Sequence, residues 1–448
     1  MKYSEFKQAI IDACAKQGIA EYELYYESGS DTSIGVFGHE INEFSSSEGG
    51  GVCLRCIVGG KMGYASTQAL SAEEAESLVA RAADNASVLE AEEEVFLCPG
   101  GQVYEPLTVN AYELPATDEL IRVALDTQEK LYAADSAVID GSQTQVIAER
   151  SETAIYNSKG LDLHSETVVS GLVVAAVVSN GKEMADSYEI KLGKLDTIDT
   201  AALTAKAAAD AKQKLGGEPA PTGSYSVVFN SDAMSSLLGV YSSVFSSENT
   251  QKGLSRMAGM EGQVIAAECV TLVDDPFHPD SPRPMNFDGE GCPTHKKNVI
   301  EAGVLNTLLY NMKTAAVAGR ETSGNASKAG YDSSVGVRPF TMYLAGGEMS
   351  EEELLQKVGN GVYITSLGGL HAGANPISGD FSLQSAGFLI ENGVKTSYVK
   401  SFTVAGNFYE LLKNIEALAN NCRLPRAMGA TAFGAPTTWV KGLSVAGK

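Results

Sequence analysis

The amino-acid sequence predicts an α+β protein of two domains, with mixed and antiparallel sheets flanked by helices. Strand-like and helix-like segments are mixed along it without the regular alternation that builds a parallel sheet. The stretch Gly216-Gly-Glu-Pro-Ala-Pro-Thr-Gly223 is rich in glycine and proline and follows a helix stop, so it divides the chain into 1–216 and 224–448. A length of 448 residues with a 44 % apolar share is ample for more than one core.

Phe6, Ile10, Ile11 and Cys14 recur at helical spacing and predict a helix over 2–18. Four short alternating runs, 21–27, 32–37, 51–58 and 62–66, predict antiparallel strands. Ser71-Ala-Glu-Glu74 has the form of a capping box and opens a helix to about Asn85. Residues 91–116 lack a period and predict a loop, followed by a helix over 117–134. Strands fill 137–190, among them the buried-looking run 171–178, with Asn180-Gly181 as a tight turn. Asp199 can cap an alanine-rich helix that ends at Leu215, with Gly216 beyond it.

The second half opens with a strand over 225–229 and a helix over 231–247. Met234, Leu237, Leu238, Tyr241 and Phe245 form an apolar stripe on that helix. Strands are expected near 269–273, 296–311, 339–345 and 362–367, and a hairpin pairs 381–391 with 394–404 across Asn392-Gly393. A helix over 407–420 and two short strands close the chain.

Charge narrows the function. With 33 basic and 56 acidic residues the net charge is −23, which repels phosphate backbones and argues against direct nucleic-acid binding. The first ten residues read as the start of an amphipathic helix rather than a signal peptide. The longest apolar run, 172–178, is too short to cross a bilayer. The expectation is a cytoplasmic protein without a membrane anchor. Seven cysteines, at 14, 53, 56, 98, 269, 292 and 422, form no disulfide pattern and fit reduced thiols.

A search for catalytic constellations finds little. A zincin needs two histidines on one helix face beside a glutamate. The five histidines, at 39, 164, 278, 295 and 371, lie more than ten residues apart, and His39-Glu40 reads as a surface pair. Cys53-Leu-Arg-Cys56 has C-x-x-C spacing, but residues three apart on a strand point to opposite faces. Cys269, His278, Cys292 and His295 could make a mixed metal site, although their spacing matches no zinc ribbon. Asp274-Asp275 reads as a solvated turn pair. No G-x-S-x-G, Walker or G-x-G-x-x-G motif occurs.

Taken in order, several segments resemble the TldD/PmbA family. They are Phe44-Ser-Ser-Ser-Glu48, Gly51-Val-Cys-Leu-Arg55 and Gly60-Lys-Met-Gly-Tyr-Ala-Ser66 in the first half. In the second half they are Asp288-Gly-Glu-Gly-Cys-Pro-Thr294, Ile300-Glu-Ala-Gly-Val-Leu305, Thr314-Ala-Ala and Gly324-Asn-Ala326. The longest runs from Gly369-Leu-His-Ala-Gly373 through Ser378-Gly-Asp-Phe-Ser-Leu-Gln-Ser-Ala-Gly387 to Ile390-Glu-Asn-Gly393, and the end, Trp439-Val-Lys-Gly-Leu-Ser-Val-Ala-Gly447, also matches. The resemblance implies an α+β fold with two domains that dimerise. It further implies a heteromeric protease in which TldD-type members bind zinc through H-E-x-x-x-H on a helix and a late cysteine, while TldE-type partners lack these residues. Such pairs process or degrade unfolded peptides, including a microcin leader and an antitoxin, and members are also called modulators of DNA gyrase.

By that resemblance the helix 231–247 corresponds to the metal helix, with Gly239 and Val244 at the histidine positions and Val240 at the glutamate. None of the three offers a lone pair or a proton acceptor. The segment Ala427-Met-Gly-Ala-Thr-Ala-Phe-Gly434 lacks the family's cysteine, and Cys422 lies upstream of it. The expectation is therefore a non-catalytic, TldE-like subunit without catalytic or metal-binding residues of its own. It would act on unfolded peptides beside a zinc-bearing TldD-type partner, or pair with itself. The glycine-rich loop 368–380 offers His371, Asn375, Ser378 and Asp380 as peptide-binding candidates; a tight turn that needs glycine explains the same residues. Two further readings stay open: an independent modulator linked to gyrase or to a toxin–antitoxin system, and a hydrolase with a rebuilt metal site.

Overall fold

A computed structural model describes residues 1–89, 95–107, 112–428 and 431–447. The first half is organised by one six-stranded antiparallel sheet. Its strands are β1 (Glu21–Phe37), β2 (Glu40–Val58), β3 (Lys61–Thr67), β4 (Gln143–Asn157), β5 (Asp162–Ser179) and β6 (Met184–Leu192), in the spatial order β3-β2-β1-β4-β5-β6. The two separate runs expected before and after residues 28–31 are one continuous strand, and β2 begins eleven residues earlier than its apolar pattern suggests (at 40, not 51). Residues 40–49 are exposed, so pairing rather than burial makes them a strand, partnered with β1 from Phe37↔Glu40 to Glu27↔Gly51 with one register shift between Gly35 and Val36. Glycine serves this close pairing: a Cβ on Gly50 would lie 2.3 Å from the Glu27 carbonyl oxygen.

Side chains alternate across the sheet. One face carries Leu24, Leu54 and Cys56 at one end and Ile34, Val36, Val146, Leu172 and Val174 at the other. Helices α1 (Tyr3–Gln17) and α2 (Ala72–Ser87) cover the first patch, and α3 (Thr117–Ala134) and α4 (Thr200–Gln213) cover the second. At α2 only half of the expected capping box forms. Ser71 Oγ accepts the Glu74 N–H, but the Glu74 carboxylate turns to Arg81 at 2.7 Å, a full charge that outbids the backbone donor. Asp199 caps α4 as expected, accepting the Ala202 N–H at 3.0 Å. The loop expected over 91–116 holds no regular element among its described residues; 91–94 and 108–111 lie outside them.

The second half contains two larger sheets. One has seven strands, in the order 415–418, 438–446, 223–229, 361–368, 380–391, 394–407 and 218–219. The short strand Glu218–Pro219 lies inside the glycine–proline stretch and pairs with Val399 and Lys400. The other has six strands, in the order 304–305, 297–301, 272–274, 341–344, 431–435 and 423–428. The hairpin across Asn392-Gly393 is present, both residues having positive φ (52° and 78°) as its tight turn requires.

Three expectations are corrected. The helix expected over 231–247 is α-helical only from Ser231 to Tyr241 (α5); Ser242–Phe245 is a 3₁₀ turn and Ser247–Gln251 a separate helix. Side chains capture the carbonyls that would continue α5: Ser242 Oγ binds Gly239 O, Asn249 Nδ2 binds Ser243 O and Ser255 Oγ binds Val244 O. The helix expected over 407–420 ends at Lys413, and Ile415–Leu418 is a strand paired with 438–440. Ile415, Ala417 and Leu418 are buried there while Glu416 is exposed, a pattern that suits the strand. The strand expected over 296–311 is two short pieces broken by a turn at Ala302-Gly303.

Candidate functional site

Helix α5 packs between the two C-terminal sheets, against 361–368 on one side and the strands 423–428 and 431–435 on the other. Asn230 caps it by accepting the Ala233 N–H at 2.8 Å. Met234, Leu237, Leu238 and Tyr241 enter the large core with Phe229, Ile364, Met342 and Phe433. Gly239 and Val240 sit half-buried on its last turn, whereas Val244 is buried in the 3₁₀ turn beyond it. Gly239, Val240 and Val244, the three positions compared in sequence with the family's metal ligands, thus do not share one α-helix. They present only hydrogen, hydrocarbon and backbone. No group of three or more His, Cys, Asp or Glu that could hold a metal ion occurs among the described residues. Zinc chemistry needs nitrogen, sulfur or carboxylate donors, so this donor set does not fit that ion. Gly429 and Ala430, in the segment compared with the late cysteine, lie outside the described residues.

Tyr241 links α5 to the second candidate. Its ring stacks on Phe408 (centroids 4.4 Å apart) and its hydroxyl donates to Asp380 O at 2.8 Å. Around that carbonyl, Asn375, Ser378 and Asp380 close a turn. Asn375 Oδ1 accepts the Ile377 and Ser378 N–H groups, and its own N–H donates to Asp380 O at 2.9 Å. Ser378 Oγ accepts the Asp380 N–H, while Asn407 Nδ2 donates to the Asp380 carboxylate at 2.8 Å. The Asn407 and Ser378 hydrogen bonds hold that carboxyl below its ordinary range. Three of the four loop residues therefore spend their polar atoms on the turn. His371 is apart from them, exposed on the short helix Leu370–Gly373.

The other residues singled out from the sequence are dispersed. Cys269 donates to Ile415 O, His278 lies against the Tyr343 ring, Cys292 is buried beside Cys98, and His295 sits near Lys297, its pKa lowered by burial and by that lysine. His39 packs on Tyr132. Cys56 joins the core under α1 and α2, while Cys53 faces Lys328 on the opposite side of the sheet. Asp274-Asp275 is not a solvated pair: Asp274 is fully buried and accepts the Phe340 and Thr341 N–H groups and Asn325 Nδ2.

A site that the sequence reading missed lies where the free face of the first sheet meets the second half. Arg55 on β2 reaches Glu23 on β1 (Nε–Oε1 2.7 Å) and Glu290 (Nη1–Oε1 3.6 Å), all three side chains being at most 5 % exposed. Asn157 Nδ2 approaches Glu23 at 3.4 Å and the Met312 N–H donates to Glu290 at 2.9 Å. Burial opposes the Arg55 charge, but the two carboxylates outweigh it and its pKa is raised. Burial raises Glu290 despite Arg55. Burial and Glu290 together push Asp288 up to about 7, against the N–H groups of Ala326, Glu290 and Cys292 that its carboxyl accepts. The arrangement clamps the two halves together; its signal in the sequence was the Asp288–Thr294 segment, which there stood out only as one of the segments resembling the family.

Residues 222–447 match the PmbA/TldA metallopeptidase C-terminal domain, 22–86 match domain 1 and 113–215 match the central domain of the same proteins. A metalloprotease of Methanothermobacter thermautotrophicus is 29 % identical over 306 residues, covering 65 % of this chain and 66 % of that protein. A metalloprotease PmbA homologue of Haemophilus influenzae is 23 % identical over 434 residues, 93 % of this chain and 92 % of that one. A solved Thermotoga maritima structure, named for modulation of a DNA gyrase, superposes with a TM-score of 0.90 at 29 % identity, covering 99 % of this chain and 100 % of the other. TldE from Thermococcus kodakarensis superposes with a TM-score of 0.88 over 98 % and 99 % of the two chains; at 23 % identity that likeness bears on fold alone. Since the C-terminal domain match by itself takes in half of the sequence and the two other domains precede it in order, the chain belongs to the PmbA/TldD metallopeptidase family.

Proposed function

We propose that this chain is a TldE-like, non-catalytic subunit that pairs with a zinc-bearing TldD-type subunit in processing or degrading unfolded peptides. The observation that carries this reading is the chemistry at Gly239, Val240 and Val244: the scaffold around α5 is kept, but its metal positions carry no donor atom. An isolated loss could be compensated by a neighbour, yet no three potential ligands converge among the described residues. In this reading the buried face of α5 preserves the shape of the C-terminal domain. His371 is the loop residue free to meet a peptide, and Asn375, Ser378 and Asp380 hold the turn beneath it. The reading also places the chain in the cytoplasm. No helix among the described residues is long and apolar enough to cross a membrane, which bears on helices only.

The test is reconstitution. The purified chain alone is expected to carry no stoichiometric zinc and to leave an unfolded peptide intact, while addition of a TldD-type subunit from the same organism yields hydrolysis. Partner activity indifferent to this chain sinks the proposal. Stoichiometric zinc that is lost with Cys292→Ala or His295→Ala points instead to a rebuilt metal site, and capture of gyrase or a toxin system without any protease points to an independent modulator.

A further inference from the structure

We propose that Cys98 and Cys292 are a peroxide-oxidisable pair whose disulfide ties the segment following α2 to the Asp288–Thr294 turn of the second half. This inference does not depend on the subunit reading. The two side chains, 2 % and 3 % exposed, share one small core with Leu161, enclosed by Tyr104, Leu163 and Met312. The Cys98 thiol lies close enough in that core to raise the pKa of the Cys292 thiol. Each side of the pair is pinned by its backbone. Cys98 O accepts from Asn157 Nδ2 at 2.8 Å, and the Gly100 N–H donates to Lys159 O at 2.9 Å. The Cys292 N–H donates to the Asp288 carboxyl at 2.9 Å, and Cys292 O accepts the Asp288 N–H at 2.9 Å. Tyr104 OH reaches across to Gly291 O at 2.8 Å, joining the two segments directly. Two thiols kept in one small core by anchored backbones react with each other rather than with distant thiols, because most of the search for a partner has already been made.

The remaining cysteines lack this arrangement. Cys269 and Cys422 donate to the carbonyls of Ile415 and Leu344 and Cys53 faces Lys328, whereas Cys98, whose Sγ also reaches a carbonyl (Pro99 O, 4.0 Å), shares its core with Cys292. Cys14 and Cys56 share the core under α1 and α2 and are the internal control.

The chemistry needs one equivalent of hydrogen peroxide. One thiol gives its proton to solvent and its sulfur attacks a peroxide oxygen. The O–O bond breaks, hydroxide leaves and takes up a proton as water, and a sulfenic acid remains. The second sulfur then attacks the first, the S–O bond breaks and a second water leaves, so two thiols and one peroxide become one disulfide and two waters. The neighbouring Cys98, burial and the Asp288 and Glu290 carboxyls all push the Cys292 thiol up, so the reaction is slow near neutrality and accelerates as pH rises.

The experiment treats the full chain with hydrogen peroxide at several pH values. Thiols are then counted after denaturation, the intact mass is measured and the peptides are mapped without reduction. The expected result is two titratable thiols fewer than the seven of the sequence, a mass loss of two hydrogens, a bridge mapping to Cys98 and Cys292, and a rate that climbs with pH. Cys98→Ser or Cys292→Ser abolishes the mass loss. A full thiol count after treatment, a bridge mapping to Cys14 and Cys56, or over-oxidation of either residue without a bridge overturns the proposal. The wild-type peptide map decides the matter even if a serine variant fails to fold.

Discussion

Replacing Arg55 by methionine tests how the two halves are held together. The substitution keeps much of the hydrocarbon stem and deletes the cation that reaches both Glu23 and Glu290, whose side chains are 2 % and 5 % exposed. Breaking a buried ion pair from one side costs about 3–5 kcal/mol, because the surviving charge stays desolvated and unpaired. Arg55 Nη2 already lacks a partner, so one of its donors contributes nothing, and the lower end, about 3 kcal/mol, is the expected loss. Without Arg55 the Glu290 carboxyl, already raised by burial, titrates still higher in the folded variant than in its unfolded chain. A group raised on folding stabilises below its unfolded pKa and loses that contribution as pH rises through the folded value. The deficit relative to the parent protein is therefore small near pH ~4 and grows to its full size by pH ~8. Urea unfolding followed by far-ultraviolet circular dichroism measures it, while the single tryptophan, Trp439, reports on the C-terminal sheet. Arg55→Met combined with Glu23→Gln and Glu290→Gln should recover most of the loss, since no bare charge remains. A change below about 1 kcal/mol, or a deficit that ignores pH, refutes the account of this cluster as a buried, mutually dependent set.

Two further outcomes follow from the same geometry. Asp288, raised from an ordinary 3.8 to about 7, holds a proton in the folded chain that the unfolded chain releases, so it withdraws stability as pH climbs from near 4 through 7. Asp288→Asn should flatten that part of the stability–pH profile; an unchanged slope would place the titrating group elsewhere. Gly387 has no space for a side chain, since a Cβ there would lie 1.8 Å from the Tyr363 carbonyl oxygen in the adjacent strand. Gly387→Ala should therefore cost about 3 kcal/mol or more by forcing the strands apart, seen as a lower thermal midpoint, and a variant as stable as the parent would contradict the pairing.

Local patterns carried well wherever the information was local. The helix Thr117–Ala134 and the hairpin across Asn392-Gly393 were legible because capping, periodicity and turn chemistry act within a few residues. The same reasoning failed at 231–247 and 407–420, where Ser255 Oγ takes the Val244 carbonyl and a strand at 438–440 claims Ile415–Leu418. His371, Asn375, Ser378 and Asp380 looked alike as a polar cluster until hydrogen bonds to Asn407 and within the turn separated His371 from the rest.

By itself the sequence determined the family, the α+β class and the acidic charge, because residue identity and near-neighbour order decide each of these. Only the tertiary structure decided that residues 40–50 are a strand, that Asp274 is buried, and that Glu23, Arg55 and Glu290 meet, as do Cys98 and Cys292. The physical reason is that burial and pairing belong to contacts between distant parts of the chain. A charged or thiol side chain carries no mark of the partner that will remove it from water.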